Sequence, residues 1–148
     1  MIDQIERSID LQAPVDRVWQ AVTDHQEFGA WFGLVLDGPF SVGEVTHGRL
    51  TVPGHEGLPF WARVLVMEEP TNFSFNWPMD ETVQPEDPEL ESKVTLVEFI
   101  MEPRELGSRL TVRESGFRKL PEGLGLQVFR DNQRGWDYQA NNLKKYLE

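Results

Sequence analysis

The chain has no cysteine, which excludes disulfides, thiol nucleophiles and the usual thiolate zinc sites. Its stability must therefore come from apolar burial alone. It also lacks any run of about 18 apolar residues long enough to span a bilayer. The opening stretch MIDQIERSID has neither the basic nor the apolar region of a secretory signal. A cytoplasmic protein with no membrane association is expected. Positive charge is scarce: 14 Lys and Arg stand against 25 Asp and Glu, a formal net charge of −11. Nucleic-acid binding relies on clustered cations that displace counterions from phosphates, so no DNA or RNA partner is expected. No HExxH, GxSxG, phosphate-loop or dinucleotide spacing occurs. The three histidines are dispersed: His25 at a helix end, His47 in a strand among polar residues and His55 in the turn VPGHEGLP. They form no metal motif, and neither a metal, a cofactor nor a catalytic residue is assigned.

What is present fits one domain over residues 1–148, large enough to bury about two-thirds of its unfolded surface. Residues 3–12 alternate Ile5, Arg7, Ile9 and Leu11 with polar neighbours, as a strand does. The period then changes. Pro14 suits the first position of a helix over 14–24, Asp16 favours the positive end of its dipole, and Val15, Val18, Trp19 and Val22 recur at helical spacing. A shorter helix fits QEFGAWFG, interrupted by Gly29 and Gly33. Five β-rich runs follow: GEVTHGRLTV, PFWARVLVMEE, NFSFNWP, SKVTLVEFIME and SRLTVRESGF. Pro, Gly, Asn and acidic turns separate them, which predicts an antiparallel meander. Between the third and fourth runs lies MDETVQPEDPELES, whose composition predicts a solvated, mobile loop.

The last segment returns to a helical period of at least five turns. Phe129, Trp136, Ala140, Leu143 and Leu147 share one stripe, and Arg130, Arg134, Asn141 and Lys145 share the opposite one. Such a helix is expected to lie across the sheet. Gly135 sits in its interior, where glycine costs roughly 1 kcal/mol relative to alanine. It shares a half-polar flank with Val128, Asn132, Gln139 and Tyr146. Two explanations compete. Gly135 permits close packing against a strand, with Asn132 and Gln139 as boundary residues; or the helix leaves a space above a curved sheet, and the amides orient a small ligand there.

Aromatic residues converge on the same interior. Phe75 and Trp77 alternate with Phe73 on one side of their strand and should face Phe99 and Trp136, while Trp31 and Phe32 stand where they would close one end of a pocket. Val97, Phe99 and Met101 share one strand face, as do Leu110, Val112 and Glu114 on the next. If those faces coincide, Glu114 points inward. Desolvation would then raise its pKa and equip it as a general acid or base. Alternatively it pairs with Arg63 or Arg113, or a bulge turns it outward. The candidate ligand-binding set is Trp31, Phe75, Trp77 and Phe99 from the first helices and the sheet, Glu114, and Asn132, Gly135, Trp136 and Gln139 from the last helix.

Several motifs carry a resemblance: IDLQAPVDRVWQAVTD, WFG, ARVLVMEEPTNFSFNW, GSRLTVRESGF and RGWDYQANNLKKYL, in that order. The ordered set resembles the activator-of-Hsp90-ATPase branch of the START and polyketide-cyclase superfamily. His25 and Glu69 depart from the family pattern at two turns where proline is common. The resemblance implies an α+β helix-grip fold: one strand, two short helices, a six-stranded antiparallel meander and a long C-terminal helix gripped by the curved sheet. It also implies an internal cavity between sheet and helix. A non-enzymatic domain binding a small hydrophobic or aromatic ligand is expected. Two alternatives stand beside it: a co-chaperone-type module that meets a chaperone or other protein through its acidic surface, and a cyclase- or aromatase-like enzyme using Glu114.

Overall fold

The computed structural model describes residues 3–148. The chain runs β1 (Gln4–Leu11), α1 (Val15–Thr23), α2 (His25–Phe32), β2 (Leu34–Leu36), β3 (Val45–Leu50), β4 (Pro59–Glu68), β5 (Asn72–Pro78), β6 (Val94–Arg104), β7 (Gly107–Ser115) and α3 (Gly125–Leu147). Short 3₁₀ turns at Leu90–Ser92 and Phe117–Lys119 flank the last two strands. All strands join one antiparallel sheet of order β1-β7-β6-β5-β4-β3-β2. The six-stranded meander is therefore β2 to β7, and β1 adds to its far edge beside β7. β2 is the strand that composition did not reveal, being only three residues long.

Local chemistry explains the helix boundaries. Pro14 is the cap of α1 rather than its first turn, with an extended ψ of 159°, and its carbonyl accepts from the Arg17 and Val18 amides. The Asp24 carboxylate ends one helix and starts the next by accepting from the Gln26 and Glu27 amides at 2.9 and 3.0 Å, a side-chain cap for donors that a helix leaves unpaired. Gly33 stops α2 in a left-handed conformation, φ 95°, as glycine commonly does. Gly29, expected as a second interruption, lies inside the helix instead. A Cβ there would collide with the Leu34 carbonyl oxygen, so its role is close approach of α2 to β2.

The concave face of the sheet, α1, α2 and α3 enclose one apolar core. Val18, Ala21 and Val22 of α1, Phe28 of α2, and Phe73, Phe75, Val97 and Phe99 of the sheet are fully buried or nearly so. α3 lays Trp136 and Leu143 into this core, with Phe129 and Leu147 packed at its margin. Arg130, Arg134, Asn141 and Lys145 are exposed, as the helical period predicts.

The acidic segment between β5 and β6 is not the free loop its composition suggested. Val83 is buried and packs with Trp61 and Val94 on the outer face of the sheet. The Trp61 indole donates to the Val83 carbonyl at 2.9 Å, and Lys93 pairs with Asp87 at 2.8 Å. One apolar residue among acids is enough to anchor the segment, because it finds a tryptophan facing away from the main core.

Candidate functional site

The inward faces of β6 and β7 do coincide. Val97 pairs with Glu114, Phe99 with Val112 and Met101 with Leu110, so alternation along β7 carries Glu114 into the interior, where it has no solvent exposure. A lone carboxylate there needs partners, and four side chains supply them. Trp77 Nε1 and Thr95 Oγ1 donate to Oε2 at 2.8 and 2.5 Å. Trp136 Nε1 donates to Oε1 at 2.8 Å, and Asn132 Nδ2 lies 3.1 and 3.0 Å from the two oxygens. Two elements make this possible. Trp77 and Thr95 are cross-strand partners on β5 and β6, and Asn132 and Trp136 are one helical turn apart on α3, hence on the same face.

Neither arginine considered for Glu114 reaches it. Arg113, the next residue along β7, points to the other face and pairs with Glu6 at 2.9 Å. Arg63 donates to the Pro85 carbonyl at 3.5 Å. Among the described residues Glu114 is thus held by neutral donors alone. Burial pushes its pKa above the usual carboxylate value, and the hydrogen bonds from Thr95, Trp77, Trp136 and Asn132 pull against that rise. Of the atoms that contact the carboxyl group only the Thr95 hydroxyl oxygen can accept as well as donate; it is therefore the contacting group able to receive a proton carried on Oε2.

Beside this cluster a cavity of about 170 Å³ opens between α3, the end of α2 and β5, bordered by Phe32, Trp77, Asn132, Gly135, Trp136 and Gln139. A Cβ built on Gly135 meets nothing within 4 Å. Close packing against a strand is therefore not what the glycine provides; the missing side chain widens the space. The Trp77 and Trp136 rings stack with centroids 5.5 Å apart and planes 19° apart. Phe32 stands at 66° to the first and 72° to the second.

The expected site residues thus divide. Trp77, Asn132, Gly135, Trp136 and Gln139 border the cavity. Glu114 lies behind them, shielded by the groups that bond it. Phe75 and Phe99 belong to the solid core. Trp31 donates its N–H to the Ala21 carbonyl at 2.9 Å and faces, with Phe99, a separate gap of about 10 Å³, at or below the size that admits one water. Of the amides expected to reach for a ligand, Asn132 directs its nitrogen to Glu114, and Gln139 gives one N–H to the Phe32 carbonyl at the end of α2, at 2.8 Å. Thr95 escaped the sequence reading, although it precedes Val97 and Phe99 at the same two-residue period. Among the described residues no three His, Asp or Glu side chains form a metal-binding group, and no helix is long and apolar enough to cross a membrane.

A family model described as Activator of Hsp90 ATPase homolog 1-like protein matches residues 12–148. The chain belongs to this family. The fold recurs in solved structures. A protein from Arthrobacter aurescens, 21% identical, matches with a TM-score of 0.79 over 97% of this chain and 85% of its own. One from Mesorhizobium loti, 19% identical, gives 0.75 over 97% and 96%. The Aha1 dimer from Colwellia psychrerythraea, 18% identical, gives 0.74 over 100% and 97%. At such identities the likeness establishes the helix-grip architecture alone. No curated protein matches the sequence.

Proposed function

We propose that this member of the Hsp90-ATPase-activator-like family is a non-enzymatic, cytoplasmic domain that binds a small hydrophobic or aromatic molecule beside Gly135. The observation that carries the reading is a cavity bordered by three aromatic rings, at whose solvent-exposed rim Gly135 leaves open space. An engineered apolar cavity of about 150 Å³ accepts benzene, so about 170 Å³ suits a single ring or a short branched chain and is too small for a sterol or a lipid. Trp77, Asn132, Gly135, Trp136 and Gln139 would contact the ligand together with Phe32. Trp31, Phe75, Phe99 and Glu114 would support that wall from behind. Catalysis by Glu114 is disfavoured, since both its oxygens are held by side-chain donors and it does not border the cavity.

The test is a thermal-shift and NMR titration with one-ring and short-chain compounds against the parent and Gly135→Leu. Stabilisation of the parent that is lost in the variant supports the site. Equal binding by both would remove it.

A second reading, recognition of a chaperone or other protein, draws support from the anchored acidic segment. Val83 fixes it to the sheet, leaving Glu81, Glu86, Glu89 and Glu91 exposed as an ordered anionic surface. Binding through it should weaken with salt and with charge reversal at those positions, and a complex indifferent to both would end this reading.

A further inference from the structure

The polarity of the cavity wall narrows the ligand further than its size does. Four side-chain nitrogens border the space, and each already donates to a protein oxygen: those of Trp77, Trp136 and Asn132 to Glu114, and that of Gln139 to Phe32. No Lys, Arg or His lines the cavity. One N–H of Gln139 has no acceptor among the described residues; the other unengaged polar atoms on the wall are acceptors. Among the described residues Asn132 Oδ1 receives no hydrogen bond, and Gln139 Oε1 receives one, from Asn142 at 3.2 Å. The π-faces of aromatic rings carry partial negative charge.

Behind the rings, Glu114 adds to this bias. Its carboxyl oxygens accept the N–H of both indoles, and a hydrogen bond to an acceptor polarises the donor and moves electron density toward the ring. No cationic side chain bonds Glu114 in return. Arg7, on the inward side of β1, is turned to Asp137 of α3 at 2.6 Å. The whole chain carries a formal charge of −11, which raises the local concentration of cations and lowers that of anions.

We propose that the cavity takes a small organic cation, an ammonium bearing methyl or short alkyl groups, packed against Phe32, Trp77 and Trp136 with the Asn132 and Gln139 carbonyl oxygens available to it. Aromatic walls recognise such cations because the ring quadrupole attracts a charge too weakly hydrated to prefer water. An anion would meet no cationic side chain and at most one spare amide N–H, and a neutral group of equal shape would lack the attraction of a charge to the rings. The inference rests on the cavity being a ligand site, as proposed above.

Calorimetric or NMR titration with three probes tests it: choline, neohexyl alcohol, in which carbon replaces the quaternary nitrogen, and benzoate. Choline should bind roughly tenfold more tightly than its neutral isostere, and benzoate least well. Glu114→Gln should narrow the gap between choline and the isostere by weakening choline alone, and Gly135→Leu should exclude both. Should Glu114→Gln fail to fold, the comparison in the unmodified protein decides. Neohexyl alcohol binding as tightly as choline, or benzoate binding best, overturns the cation assignment and leaves the cavity reading intact. Absence of binding by all three, or equal binding by Gly135→Leu, overturns both.

Discussion

Replacement of Gly135 by alanine separates the two roles a glycine can have within a helix. The residue lies in the interior of a 23-residue helix, with no positive φ and nothing within 4 Å of where its Cβ would stand. Alanine therefore meets no clash, and the intrinsic difference between the two residues in a helix interior should be recovered nearly whole. That difference is about 1 kcal/mol, or about 2–4 °C in melting temperature for a chain of this size. The added methyl takes a small part of the cavity and should weaken ligand binding modestly, with leucine in its place weakening it strongly. Gly29→Ala is the internal control: its Cβ would meet the Leu34 carbonyl oxygen, a main-chain atom that cannot turn aside, and a loss of about 1–3 kcal/mol is expected from such overpacking. Urea denaturation, with the slope checked for constancy, measures both. A Gly135→Ala protein less stable than its parent would mean that α3 does press on its neighbours there, and the cavity argument would fall with it.

Burial holds the Glu114 pKa above 4.5, its ordinary value. The folded state therefore binds this proton more tightly than the unfolded chain does, so its contribution is complete below the unfolded pKa and is lost as pH rises through the folded one. Against Glu114→Gln, the parent's stability advantage should shrink as pH rises from about 4.5, by about 1.4 kcal/mol for each unit of elevation; a difference constant with pH would contradict the assignment. At low pH the glutamine variant should be less stable by about 1–3 kcal/mol, because its amide faces donors and leaves at least one indole N–H unpaired. The Trp77 and Trp136 indole protons should exchange with solvent far more slowly than an exposed indole and should respond together to Glu114→Gln in NMR spectra. Val83→Ala should cost about 1 kcal/mol and expose the acidic segment to protease; unchanged cleavage would show that Asp87–Lys93 and the turns hold the segment without it.

Periodicity made the frame of this protein legible, and side-chain pairing between distant segments decided the rest. The stripe of α3 is visible in Phe129, Trp136 and Leu143, and the inward turn of Glu114 follows from alternation with Leu110 and Val112 once β6 and β7 are in register. Its partners were not readable in the same way. Arg63 and Arg113 are the natural choices by charge, yet strand alternation sends Arg113 to the opposite face, and the interior offers indoles, an amide and a hydroxyl instead. Neutral donors have no sequence signature as carboxylate partners, since tryptophan usually signals a core. The same limit hid the anchoring of the acidic segment, where Val83 alone, meeting an outward Trp61, outweighs a composition that reads as solvated. The arrangement also has a physical logic that bears on function. A cation opposite Glu114 would neutralise it and remove its contribution to the polarisation of the two indoles. Neutral donors leave any charge on the carboxyl group uncompensated by a side-chain cation, and two of those donors, Trp77 and Trp136, are also walls of the cavity beside Gly135.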